Sequence, residues 1–434
     1  MDYYDLLLAS KLSGGGSSVT VESLSVTQNG TYTADTGKAY SPVEVNVQPP
    51  QEAEIKDVNF FDYDGTCLYS YTKAEWANVT ELPPNPSHDK LTAQGWNWTK
   101  AEINTQLANV PDCPVIVGQH YISASGDTEI DIELIAPRLS PYLGIALNGS
   151  VEVDWGDGSA KETISATNIS NLKNTQHQYS SSGSYTIKIH RISGSYTTAS
   201  QNPSNSRPVL NNAQATMEHN YVYMSAIKDI RLGDMGEDGG VAGNSFNGLE
   251  AKSIPIPKDI KEYTNGFNGA RFEYLTVPRS HTNQTESFPE ELHTISLPPT
   301  TTSLYFYGKY YLRNVTFIYG ASIPSLGFRN CYELRKALIP SNATAIEGSS
   351  FRACYSLATI TVPSGVTSIG AIAFGDCKGL GEIHMLPETP PTIANNDALN
   401  TIPSDCVIYV PSAKLSDYQT ASIWSNYSSQ MVGE

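Results

Sequence analysis

The apolar positions of this chain recur with two periods, and each predicts a different kind of element. The longer period dominates the C-terminal half. Phe328, Phe351 and Phe374 stand 23 residues apart, as do Cys331, Cys354 and Cys377, and Leu334, Leu357 and Leu380. Each leucine opens the phrase apolar-x-x-apolar-x-apolar: Leu334-Ala337-Ile339, Leu357-Ile360-Val362 and Leu380-Ile383-Met385. The phrase extends backwards through Leu312-Val315-Phe317, Leu292-Ile295-Leu297, Phe272-Leu275-Val277, Ala251-Ile254-Ile256 and Ile227-Ile230-Leu232. Eight such phrases, with starts 20–24 residues apart, predict a solenoid over residues 225–395, because one unit cannot bury its apolar face alone.

The shorter period, strict alternation, predicts strands upstream. Residues 1–18 read as a short helix carrying Tyr3, Tyr4, Leu6, Leu7 and Leu8, followed by a flexible Gly/Ser linker. The helix is either a docking peptide that orders on a partner or a frayed terminus. Residues 19–50 form a small β-module, with alternation at Leu24-Val26 and Val43-Val45-Val47 and a turn at Asn29-Gly30. Residues 51–118 read as a compact α+β module. It has a strand at Val58 to Phe61, two T-x-x-E capping boxes at Thr72-Glu75 and Thr99-Glu102, and Trp76, Trp96 and Trp98 as core. Residues 119–192 alternate at Ile130-Ile132-Leu134, Val151-Val153-Trp155 and Tyr185-Ile187-Ile189, predicting a β-sandwich. A polar linker follows at 193–224, and residues 396–434 close the solenoid. The expected fold class is mainly β and multidomain: N-terminal helix and small β-module, small α+β module, immunoglobulin-like sandwich, then solenoid with cap.

Two resemblances refine this. Phe351 to Phe374, read as F-x-x-C-x-x-L-x-x-I-x-V-P-x-x-V-x-x-I-G-x-x-A-F, resembles the BspA-like leucine-rich repeat. Thr389-Pro390-Pro391-Thr392, Val407 to Pro411, Tyr418 and Trp424 resemble the C-terminal cap of such arrays. Val153-Asp154-Trp155-Gly156-Asp157-Gly158-Ser159, with His177-Gln178-Tyr179 and Gly183 to Ile187, resembles the PKD domain. That likeness implies an immunoglobulin-like spacer whose aspartates fix a turn, calcium being a minority use.

Charge and composition narrow the partners. A net charge of -17 with no basic run argues against nucleic acid. The acidic start and short apolar run do not make a secretory signal, and no stretch is long enough to span a bilayer, so no membrane insertion is expected. The in-phase cysteines read as small core residues, since no His or carboxylate recurs with them to complete a metal site; no metal and no cofactor are expected. One enzymatic pattern stands out. Asp62-Tyr63-Asp64-Gly65-Thr66 matches the nucleophile loop of haloacid-dehalogenase phosphatases, and Gly233 to Asp238 matches their metal motif. That chemistry requires a parallel βαβ sheet between the two motifs, and the intervening pattern is not one. No paired carboxylates or nucleophile-base spacing can be argued either, so the chain is expected not to be an enzyme.

In the repeat phrase the third and fifth positions point away from the core. Tyr274, Thr276, Thr294, Ser296, Asn314 and Thr316, with loop residues Tyr305, Tyr307, Tyr310 and Tyr311, make a face rich in hydroxyl, amide and aromatic groups. It reads as a recognition surface for a host-cell glycan or protein or as a merely solvated β face. The N-terminal phrases N-G-T-Y-T and Y-S-P-V-E-V-N-V, with Leu91 to Trp98, resemble structural proteins of phages of gut Firmicutes. That resemblance implies a tail or head fibre-like virion subunit, assembled in the bacterial cytoplasm, docking on other virion proteins by its N-terminus and attaching to the host by its repeats. A homo-oligomer is compatible with it. The alternatives are a bacterial cell-surface adhesin and, more remotely, a polysaccharide-acting enzyme.

Overall fold

A computed structural model describes residues 23–26, 31–35, 43–46, 55–198, 208–211, 223–242, 245–262, 266–267, 269–279, 288–394 and 398–434. They fall into two compact units, Met1–Glu54 and Ile55–Glu434. The expected docking helix, with Tyr3, Tyr4 and Leu6 to Leu8, lies outside the described residues, as does most of the expected linker 193–224. In the first unit β1 (Ser23–Val26), β2 (Thr31–Asp35) and β3 (Val43–Asn46) pair antiparallel in that order.

The second unit begins with the α+β module. Its strands β4 (Val58–Phe61), β5 (Cys67–Tyr71), β6 (Leu91–Trp96) and β7 (Val115–Ser123) lie in the order β5-β4-β7-β6. The helices Lys73–Trp76 and Lys100–Asn109 both open with reciprocal capping boxes, Thr72 with Glu75 and Thr99 with Glu102. Phe60 packs among Trp76 and Trp96, and Trp98 is fully enclosed. Strand β7 is buried along almost its whole length, which accounts for its unbroken Val115-Ile116-Val117 run.

Next come β8 (Thr128–Leu134), β9 (Tyr142–Asp154), β10 (Glu162–Gln176), β11 (Gly183–Thr198), β12 (Leu210–Asn211) and β13 (Ile227–Arg231). The first half of β11 pairs antiparallel with β8 and its second half with β9, so one long strand joins β13-β8 to β9-β10. Two expected boundaries are corrected here. Strand β7 runs across the expected division at 118, and β11 runs past 192. The phrase Ile227-Ile230-Leu232 is also not a repeat strand. It forms β13 and pairs antiparallel with β8, because alternating apolar residues serve either ladder equally well.

The end of β11 pairs in parallel with β14 (Gly240–Val241), and β14 with β15 (Lys261–Glu262). The antiparallel sheet therefore seats the first coils, covering an end that a solenoid cannot leave bare. The solenoid proper has β16 (Tyr274–Thr276), β17 (Thr294–Ser296) and β18 (Asn314–Val315) in one parallel ladder. The ladder restarts with β19 (Lys336–Leu338). Beyond it, β20 (Ala345–Ile346), β22 (Ser368–Ile369) and β24 (Thr392–Ile393) form a second parallel sheet. The main ladder continues from β19 through β21 (Thr359–Val362), β23 (Glu382–Met385), β25 (Val407–Val410) and β26 (Met431–Gly433).

The 23-residue period appears as columns. Phe306, Phe328, Phe351 and Phe374 stack with centroids 5.3, 5.5 and 5.8 Å apart. Cys331, Cys354 and Cys377 are buried beside them, and each thiol donates to the carbonyl of a phenylalanine in the preceding coil, at 3.1–3.2 Å. They fill space and also tie coils together. The cap closes on the proline turn: Tyr418 donates its hydroxyl to the Pro387 carbonyl and Trp424 its indole N–H to that of Pro391.

Candidate functional site

The face expected to recognise a partner is occupied by the protein itself. Tyr274, Thr276, Thr294, Ser296 and Thr316 are all at most 9 % exposed, because the α+β module lies on them. Phe61 stacks on Tyr274 with centroids 5.6 Å apart. Ser296 Oγ donates to the Ile116 carbonyl at 2.7 Å and accepts from the Asn97 amide at 2.9 Å. The Ile116 N–H donates to Thr316 Oγ1 at 2.8 Å, and the Thr316 hydroxyl donates to the Pro114 carbonyl at 3.2 Å. Trp98 and Gln106 donate to the carbonyls of Leu297 and Phe317. A Cβ at Gly118 would lie 2.3 Å from Thr276 Oγ1, so only glycine allows this approach. Asn314, half-buried at the margin, donates to Thr294 Oγ1. Six residues of the expected binding face are therefore interface or its margin, corrected by a partner supplied from about 200 positions upstream in the chain.

An ion pair fastens one side. Arg279 donates to Glu102 through both terminal guanidinium nitrogens, at 2.7 and 3.2 Å, and to the Asn97 carbonyl at 2.6 Å. Burial pushes the Glu102 carboxyl up, but the hydrogen bonds from Arg279 and Thr99 outweigh it and hold it below the ordinary glutamate value. His120 on β7 is fully enclosed. Its Nδ1 donates to the Ile256 carbonyl at 3.1 Å, and its Nε2 is buried with no hydrogen-bond partner. Burial, with the charges of Lys258 and Arg279, lowers its pKa to about 4.

The loop tyrosines fare differently. Tyr305 and Tyr311 are half-buried, and Tyr311 meets His293 edge-on. Tyr307 and Tyr310 are 43 % and 44 % exposed, and Tyr310 begins a ladder. Tyr310 stacks on Tyr332 at 4.8 Å and Tyr332 on Tyr355 at 4.7 Å, with interplanar angles of 14° and 11°. Lys378 lies over the outer face of the ladder's last ring, 5.3 Å from the Tyr355 centroid, and Arg329 lies 5.7 Å from that of Tyr307. Tyr332, Tyr355 and Lys378 were missed from sequence, although a signal was present. Each directly follows one of the three in-phase cysteines. The free part of the main sheet, beyond the module, presents Thr359, Thr361, Glu382, His384 and Tyr409. His384 stacks on Tyr409 and bonds Glu434.

The remaining motifs have structural occupations. Asp62 accepts from the Tyr121 hydroxyl at 2.7 Å and meets His88 Nε2 at 2.9 Å, and Asp64 accepts from the Thr66 N–H. Asp234 pairs with Arg191 and Asp238 with Lys261. In the turn after β9, Asp154 accepts from the Gly156 N–H and Asp157 from the Ser159 N–H. His177 stacks on Trp155 and bonds Asp157 at 2.8 Å. Burial opposes ionisation of Asp157, but the bonds from Ser159 and His177 prevail and hold its pKa at about 2. Among the described residues no cluster of His, Cys, Asp and Glu has the makings of a metal site.

The parallel ladder, in-phase core columns and turn-rich coils define a leucine-rich-repeat solenoid. The family described as BspA type leucine-rich repeat region matches residues 288–401 in six copies, so the chain contains such a region. The match begins after the first three phrases read from sequence, Ile227, Ala251 and Phe272. No curated protein matches the chain.

Proposed function

We propose that this is a non-catalytic recognition protein of the adhesin type, whose contact surface is the part of the repeat array that the α+β module leaves bare. The observation that carries the reading is the surface ladder Tyr310–Tyr332–Tyr355, repeated in phase with the coils, whose two end rings are exposed and whose middle ring is half-buried. Large exposed aromatic clusters are rare on surfaces that bind nothing, and solenoids commonly present such rows to partners. The aspartates of the phosphatase-like motifs are bonded within the fold, which supports the non-catalytic reading. The PKD-like segment then acts as a spacer, supported by the Trp155–His177–Asp157 cluster.

The setting is a bacterial cell surface or a phage virion. The N-terminal phrases support the second, with Tyr3, Tyr4 and Leu6 to Leu8 docking on other virion proteins. The experiment is cell binding by the full chain and by a Tyr310→Ala/Tyr355→Ala variant, with melting as a fold control. Loss of binding at unchanged melting is expected; undiminished binding overturns the reading. Deleting residues 1–16 tests the virion setting, for which the expected result is loss of incorporation into particles.

A further inference from the structure

We propose that the tyrosine ladder and its two cations form a site for an acidic polysaccharide lying along the solenoid axis. This rests on the recognition reading above and adds the chemical class of the ligand. The ladder repeats once per coil, at the strand spacing of a parallel sheet, so it suits a polymer of repeating units. The rings already cover one another's faces. What they offer outward is a row of phenol edges and hydroxyls, which hydrogen-bond a polyhydroxylated chain. Burial together with the neighbouring phenols pushes the Tyr332 hydroxyl up, so it stays a neutral donor.

The cations give the sign of the ligand. In a chain of net charge -17, Arg313 and Arg352 on these coils are paired with Glu333 and Asp376. Neither Arg329 nor Lys378 makes a close ion pair among the described residues, Lys378 acting on Asp376 only through longer-range charge, and Arg329 Nε is buried without a hydrogen-bond partner. Two cations not closed off by ion pairs, Lys378 over the last ring of the row and Arg329 over the separate ring of Tyr307, favour an anionic chain. Single-stranded nucleic acid is disfavoured, since it needs open aromatic faces for its bases and many more cations for its phosphates.

The test is titration of the full chain with oligogalacturonates, a sulfated galactan oligomer and a neutral galactan oligomer of equal length. At least one acidic oligomer is expected to bind tenfold or more tighter than the neutral one, with affinity falling as salt rises. Lys378→Gln, at an exposed position, is expected to weaken acidic binding about tenfold with melting unchanged; Arg329→Gln is expected to do the same. Equal affinity for acidic and neutral chains, no binding of either acidic oligomer, or no response to Lys378→Gln overturns the proposal. If ladder variants abolish cell binding while no acidic oligomer binds, the polysaccharide inference fails and the recognition reading stands. If cell binding ignores the ladder, the recognition reading itself fails.

Discussion

Two stretches of one repeat array, written in the same phrase, end in opposite surroundings. In β16 and β17 and just past β18 the outward Thr276, Ser296 and Thr316 are sealed under the α+β module, and their hydroxyls are hydrogen-bonded within the protein. In β21 the outward Thr359 and Thr361 are half-exposed. Threonine alternating with branched apolar residues suits a strand in both places. The difference teaches that the repeat phrase dictates which side chains leave the core, while what they then meet is decided by another part of the chain. It also moves the search for a ligand from the middle coils to the later ones.

The sharpest way to break the comparison is to force the module off. Gly118→Val places atoms inside Thr276 and Tyr274, and is expected to cost about 3 kcal/mol or to split calorimetric melting into two transitions. Acid tests the same interface more gently. The folded pKa of His120 is depressed to about 4 from 6.5, so the folded state binds fewer protons. Its contribution is complete above pH 6.5 and is lost as pH falls towards 4, amounting to about 3 kcal/mol at full protonation. The loss of Asp131, held at about 2 where the Arg231 and Thr186 bonds outweigh burial, belongs to a lower pH window. Stability measured in denaturant from pH 7 to 4 is expected to fall, and His120→Gln to flatten the fall.

Ser296→Ala leaves the Asn97 amide and the Ile116 carbonyl without one bond each, for a cost of about 2 kcal/mol in chemical denaturation. Thr361→Val, the counterpart on the bare stretch, is expected to change stability by less than about 0.5 kcal/mol. Equal costs at the two positions would erase the distinction between the stretches. Ser349→Gly works in the opposite direction. Ser349 has φ 57°, which a side chain disfavours, and glycine there is expected to gain about 0.5 kcal/mol after its own entropy loss.

Much of the repeat array was legible. The Phe, Cys and Leu columns lie inside as their spacing demands, and both T-x-x-E boxes cap helices. The first phrase misled because Ile227-Ile230-Leu232 carries the same alternation in an antiparallel strand. The left-handed positions were illegible for a different reason. Asn330, Ala353 and Asp376 share one phase, and Leu326, Ser349 and Ile372 another, all with positive φ. The coil path imposes that conformation on whatever residue occupies the place. Of the expected site only Tyr307 and Tyr310 remain on a well-exposed surface. Tyr332 and Tyr355 join them because stacking between coils is a contact between residues 22 or 23 positions apart.

By itself the sequence determined the coils: their period, their buried columns and the side chains they turn outward. These follow from alternation and repetition, which act within one turn of the chain and its nearest copy. Only the tertiary structure decided that the outward groups of the middle coils would be enclosed. Asn97 and Ser296 meet across 199 residues, and such a contact depends on the shape and hydrogen-bonding match of two finished surfaces. No local period records that match.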